Sequence, residues 1–191
     1  LSAKRQPATG ERIGSLLTTP GAPGASGVDF VASLAPTVGE SVTAAYDLVG
    51  FDPRGVGQSS PVVCLDDAAK DESLSRDFDT DEAGLEALAE DRRAWADACA
   101  ENTGELLGQV DTQSAARDMD MLRAVLGDEK LAYLGYSYGT QLGATYAGLF
   151  PDKVGRMVLD GAIGTSLAPA EISAQQAVGV ARAGRASGAG G

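Results

Sequence analysis

Short apolar runs recur along the chain, each broken by glycine, proline or a polar cluster. RIGSLLT, residues 12–18, reads as a strand that runs into TPGAPGASG, residues 19–27, a segment too rich in glycine and proline to be anything but a loop. Residues 28–38 begin a helix. YDLVGFD, residues 46–52, is a second buried strand, stopped by PRGVGQSSP. Residues 61–82 read as an irregular polar excursion. From about Asp81 a helical period takes over, with Leu85, Leu88, Ala89, Trp95, Ala96 and Cys99 on one face. Thr112 is the expected N-cap of a helix over residues 115–126, with the stripe Ala115, Met119, Leu122 and Leu126, and Gly127 as its stop. KLAYLGY, residues 130–136, is a third strand. Residues 139–150 are again helical, with Leu142, Tyr146 and Leu149 or Phe150 facing inward before Pro151. VGRMVLDGA, residues 154–162, is a fourth strand. Strands that are apolar on both faces and alternate with helices predict the α/β class, a parallel sheet covered by helices. The end of the chain, GVARAGRASGAGG, has lost its large apolar residues, so residues 181–191 read as a disordered tail or a truncation scar.

Composition narrows the function. The 191 residues are 43% apolar and 22% charged, an ordinary globular balance. No apolar run reaches the roughly 18 residues that a membrane helix requires, so no membrane association is expected. The net charge of -12 repels nucleic acid, which removes phosphate-tracking functions. Residues 65–92 hold eleven Asp or Glu against three Lys or Arg, the mark of a solvated acidic face. The chain opens at Leu1 with no charged and then apolar leader, so no signal peptide is visible and the start reads as cut. Cys64 and Cys99 stand 35 positions apart, without a CxxC spacing and without any histidine in the chain, so neither a metal site nor a cofactor is expected. The two cysteines form one disulfide or are two small buried hydrophobes.

The candidate chemistry lies in GYSYG, residues 135–139. The bare G-x-S-x-G pattern is common by chance; its position between a strand and a helix makes it specific. A serine at the apex of so tight a turn needs strained backbone angles. Side chains two residues before and after it would strike the neighbouring strand and helix, and Gly135 and Gly139 remove them. Gly143 lets the helix approach the sheet. The turn leaves the Tyr138 N–H free at a helix N-terminus, where it can bind a developing oxyanion. A second donor belongs on the loop after an earlier strand, which points to Gly21 or Ala22. Asp52 and Arg54 are expected to brace their loop rather than to catalyse.

Three segments in register, TPGAPGASGVDF, YDLVGFDPRGVGQSSPVVC and YLGYSYGTQLGATYAGLFPDKVGRMVLDGAI, resemble the α/β-hydrolase serine peptidases of the prolyl-iminopeptidase and secreted tripeptidyl-aminopeptidase type. The resemblance covers most of residues 10–180. It implies a serine hydrolase that takes peptides with a free N-terminus and releases short peptides or single residues. Ser137 matches the nucleophile, while Tyr138 and Ala22 match the backbone oxyanion donors. Export to the cell envelope or beyond is implied too, and with it the Cys64–Cys99 disulfide. In that family the order along the chain is Ser, cap, Asp, His. Residues 1–167 then correspond to the first part of the catalytic domain and residues 168–180 to the start of the cap. This chain has no histidine and no residue that matches the triad acid, so it is expected to be an incomplete, inactive portion whose partner is the remaining part of the same enzyme. Two alternatives stand beside this one: an esterase or acyltransferase on the same fold, and a non-catalytic remnant.

Overall fold

The computed structural model describes residues 1–164 and 167–188. Its centre is a five-stranded sheet of β1 (Ser2–Gln6), β2 (Gly14–Thr19), β3 (Tyr46–Asp52), β4 (Leu131–Tyr136) and β5 (Val154–Asp160), in the order β1-β3-β2-β4-β5. The four apolar strands run parallel, with Leu16 opposite Leu48 and Thr18 opposite Leu134. β1 runs antiparallel along β3 and makes the sheet mixed. This fifth strand, SAKRQ, is absent from the sequence reading because it is polar: an edge strand with its middle in solvent leaves no apolar run to detect.

The helices are α1 (Gly27–Leu34), α2 (Glu40–Ala45), α3 (Asp67–Ser75), α4 (Glu82–Thr103), α5 (Thr112–Val125), α6 (Tyr138–Leu149) and α7 (Pro169–Gly188). The main core forms where α5 and α6 lie on the sheet. Ala115, Ala116 and Met119 of α5 and Leu142 and Tyr146 of α6 bury against Leu17, Val49, Phe51, Leu131 and Tyr133. The stripe expected on α5 is the one that packs, with Leu122 and Leu126 at its margin, and Gly127 leaves the helix at φ 81°. On α6, Phe150 rather than Leu149 completes the inward face.

Several expectations need correction. Residues 67–75, read as irregular, form α3. Its sequence is too polar to show a period; it is nucleated by Asp66, whose carboxylate accepts the Ala69 N–H at 2.8 Å, and tied to α4 by the Ser73 hydroxyl donating to Asp91 at 2.9 Å. The cap of α5 is Asp111, not Thr112: its carboxylate accepts the Ser114 N–H at 2.8 Å, and a carboxylate also suits the positive end of a helix. The helix read from about Asp81 forms as α4, capped by Asp81, and the face read on it lies outside the main core. No residue of that helix is buried, and Leu85 is 57% exposed. A disulfide joins Cys99 of α4 to Cys64. Residues 181–188, expected to be a structureless tail, continue α7 as helix with exposed side chains over residues 181–185; residues 189–191 lie outside the described residues. Among the described residues no helix is long and apolar enough to cross a membrane.

One buried and one half-buried carboxylate give the fold an acid limit. Asp47 is 3% exposed; burial pushes its pKa up, but the Ala8 N–H and the guanidinium groups of Arg12 and Arg5 outweigh that and hold it below the usual range. Asp120 is held low by its bond from Arg123, with burial opposing. A folded pKa below the unfolded one adds stability above the ordinary carboxylate range of about 4, and that stability is lost as pH falls through the folded value. The melting temperature followed by circular dichroism is therefore expected to be steady from about pH 6 to 5 and to fall steeply below about pH 4. A flat profile down to pH 2 would contradict these assignments.

Candidate active site

β4 alternates buried and half-buried positions and delivers the chain to Ser137 at the carboxyl edge of the sheet. There the backbone turns with φ 50° and ψ -117°, a left-handed conformation that costs a non-glycine residue about 1–3 kcal/mol. The surroundings impose it. The Ser137 N–H donates to the Asp160 carbonyl at 2.9 Å, and the Ser137 carbonyl accepts from the Thr140 N–H at 2.9 Å and the Thr140 hydroxyl at 2.6 Å. Thr140, 2% exposed, also accepts the Ile163 N–H at 3.0 Å, so one hydroxyl links the turn to the segment that follows β5. Gly135 and Gly143 lie where a side chain has no room. A Cβ on Gly135 would stand 2.5 Å from the Gly139 carbonyl oxygen, and one on Gly143 would stand 2.7 Å from Leu159. Ser137 itself is exposed.

The loop after β2 lies against this turn. Gly21, at φ 97°, passes so close that a Cβ there would sit 2.8 Å from the Ser137 Cβ and 2.6 Å from the Tyr136 carbonyl oxygen. Ala22 follows at φ 29° and is exposed. Among the described residues neither the Tyr138 N–H nor the Ala22 N–H has a protein acceptor. The tertiary fold thus brings together two segments more than a hundred residues apart, one with the serine and one with the loop. A buried hydroxyl couples them: Tyr133 donates to the Gly139 carbonyl at 2.8 Å and makes a short hydrogen bond with the hydroxyl of Thr19, the residue from which the loop departs. Burial pushes the Tyr133 pKa far up, so the phenol keeps its proton and remains a donor.

Asp52 and Arg54 serve the scaffold. Asp52 is fully buried and accepts from the Ser26 hydroxyl at 2.6 Å, the Gln58 N–H at 2.9 Å and the Val28 N–H at 3.2 Å. Burial raises its pKa, but these donors prevail and keep it low. Arg54 makes a two-pronged pair with Asp118, both bonds 2.7 Å. Neither residue reaches Ser137. Among the described residues no base bonds to the Ser137 hydroxyl and no cluster of His, Cys, Asp or Glu could hold a metal. Thr140, Tyr133 and Thr19 escaped sequence reasoning, because nothing in a lone hydroxyl residue reveals which distant backbone atom it will meet.

A cavity of about 200 Å³ opens on Ser137 between the exit of β5 and α7, lined by Gly161, Ile163, Leu167, Ile172 and Gln175. A larger one of about 460 Å³ lies at the other end of the sheet, among Gly14, Tyr46, Asp128 and Arg156. In parallel α/β sheets ligands bind outside the carboxyl ends of the strands, so the smaller cavity is the candidate site.

Comparison with known proteins agrees with this fold. The family model for the α/β hydrolase fold matches residues 14–185. Serine protease Hip1 of Mycobacterium tuberculosis is 41% identical over 182 residues, which are 94% of this chain and 35% of that protein. Tripeptidyl aminopeptidase of Streptomyces lividans is 45% identical over 159 residues, covering 82% of this chain and 30% of that protein. Carboxylesterase B of Mycobacterium tuberculosis is 45% identical over 184 residues, covering 94% and 35%. The chain spans about a third of the length of these relatives. A match across nearly the whole chain, together with a serine held at positive φ between β4 and α6, establishes that the protein belongs to the α/β hydrolase fold family.

Proposed function

We propose that this chain carries the nucleophile and the oxyanion hole of a serine peptidase that releases short peptides or single residues from free N-termini. The observation that carries the reading is the strained, exposed Ser137 with the acceptor-free Tyr138 amide beside it and the Gly21–Ala22 turn packed against its Cβ. In the reaction, the Ser137 Oγ attacks the scissile carbonyl while the Tyr138 and Ala22 amides receive the negative charge that develops on its oxygen. The serine proton must pass to a base and then to the leaving amine. This chain has no histidine, so we assign that base, and the acid that orients it, to the remaining part of the same enzyme. Relatives about three times as long as the chain support this assignment. The disulfide fits export to an oxidising compartment, and α7 fits the start of a cap over the site.

The experiment is a fluorophosphonate probe. The 191-residue chain alone is expected to label negligibly, because a serine without its base loses several orders of magnitude in rate. Ser137 is expected to label once the histidine-bearing part is supplied. Rapid labelling of the chain alone would overturn the missing-base argument, and no labelling in either case would overturn the hydrolase reading. The carboxylesterase relative favours an esterase as the second reading, since the elbow does not choose the leaving group. Aminoacyl arylamides compared with simple esters on the completed enzyme decide between them.

A further inference from the structure

A second cavity, of about 290 Å³, opens on the other residue of the elbow. Pro23 contributes from the loop that carries Ala22, Pro53 and Val56 from the turn after β3, Val110 from the approach to α5, and Tyr138 from α6. The walls are built, not incidental. The Tyr138 hydroxyl shares a 2.9 Å hydrogen bond with the Thr112 hydroxyl, which fixes the ring. Val110 is backed by Gly55, where a Cβ would lie 2.9 Å from a Val110 methyl. Arg54 and Asp111 also line the cavity, but both are engaged, Arg54 by the two bonds to Asp118 and Asp111 by the Ser114 N–H. With its charges occupied elsewhere, the cavity offers a ligand mainly proline rings, valine methyls and an aromatic face. Val110 nonetheless stands 37% exposed.

Tyr138 belongs to both features: its N–H is free for the scissile carbonyl and its ring walls the cavity. Neighbouring Cα atoms in a peptide are about 3.8 Å apart, so a carbonyl seated on that N–H places an adjacent side chain within reach of the cavity. The volume lies just below the roughly 300 Å³ at which pockets begin to take whole small ligands, which suits one large side chain.

We propose that the cavity among Pro23, Pro53, Val56, Val110 and Tyr138 is a subsite for one large apolar side chain of a peptide, next to the bond that Ser137 attacks. Its place beside that bond rests on the peptidase reading; its affinity for apolar side chains does not. A side chain buried there is favoured over a methyl group by roughly 10- to 100-fold.

The test is methyl NMR of the 191-residue chain titrated with N-acetyl-L-phenylalaninamide and N-acetyl-L-alaninamide. The Val56 and Val110 methyl signals are expected to shift with the phenylalanine probe and to saturate at a concentration at least about 10-fold lower than with the alanine probe. Val110→Asp is expected to weaken the phenylalanine probe about 10-fold. Val110→Ala, the gentler change, is expected to weaken it several-fold, and Val125→Asp, at a position of α5 that is itself 79% exposed, is expected to leave it unchanged. Equal binding of the two probes, or binding indifferent to both Val110 variants, would overturn the proposal. Failure of the completed enzyme to label at Ser137 would overturn the peptidase reading instead, and leaves the binding result standing.

Discussion

Ser137→Gly is expected to stabilise the chain while it removes the proposed nucleophile. The serine is held at φ 50° and ψ -117°, where a Cβ costs about 1–3 kcal/mol. Glycine occupies that region freely, at an entropic cost of about 0.5–1 kcal/mol when the chain folds. The net gain is about 1 kcal/mol, or about 2–4 °C in melting temperature for a chain of this length. Ser137→Ala keeps the Cβ and the strain, so it gains nothing. The pair of variants therefore separates relief of strain from loss of the hydroxyl. In the completed enzyme both are expected to reduce hydrolysis by at least about 1000-fold, with a remainder sustained by the oxyanion donors. A Ser137→Gly chain that melts at or below the parent temperature would show that the turn is not strained.

The second large effect is on stability. Asp52→Ala is expected to destabilise by about 3–5 kcal/mol, since it strands one hydroxyl and two backbone donors around a position with no solvent access. Asp52→Asn retains an acceptor and is expected to cost about 1–2 kcal/mol. The damage should reach the site. Ser26, bonded to Asp52, caps α1 by accepting the Asp29 N–H at 3.1 Å, and α1 anchors the far end of the Gly21–Ala22 loop. Urea unfolding measures the loss, and labelling of Ser137 in the completed enzyme is expected to slow as the loop loosens. A cost below about 1 kcal/mol for Asp52→Ala would mean that the three donors find other partners.

Legibility followed the kind of signal each element emits. The strand over residues 46–52 announced itself because its apolar centre is buried on both faces, and the strand over residues 131–136 because its apolar run is continuous, with one face buried and the other half-buried. β1 and α3 emitted no such signal, since a polar edge strand and a polar surface helix bury almost nothing. α4 was legible as a helix from its period, but that period does not tell where the helix packs: it sits outside the main core and buries none of its residues. The glycines of GYSYG were legible because a missing side chain is a local demand, read directly from the residues that make the turn.

The sequence alone determined the class of fold, the serine on its corner, the need for glycine on either side of it, and the absence of any histidine that could act as its base. Those are properties of composition and of contacts between near neighbours. Only the tertiary structure decided that Gly21 packs against the Ser137 Cβ, that Tyr133 and Thr19 couple the loop to the elbow, and that Thr140 fastens the turn to the segment beyond β5. These contacts join residues far apart in the chain. Their existence depends on strand order and register, and no local pattern of residues encodes which distant carbonyl a buried hydroxyl will meet.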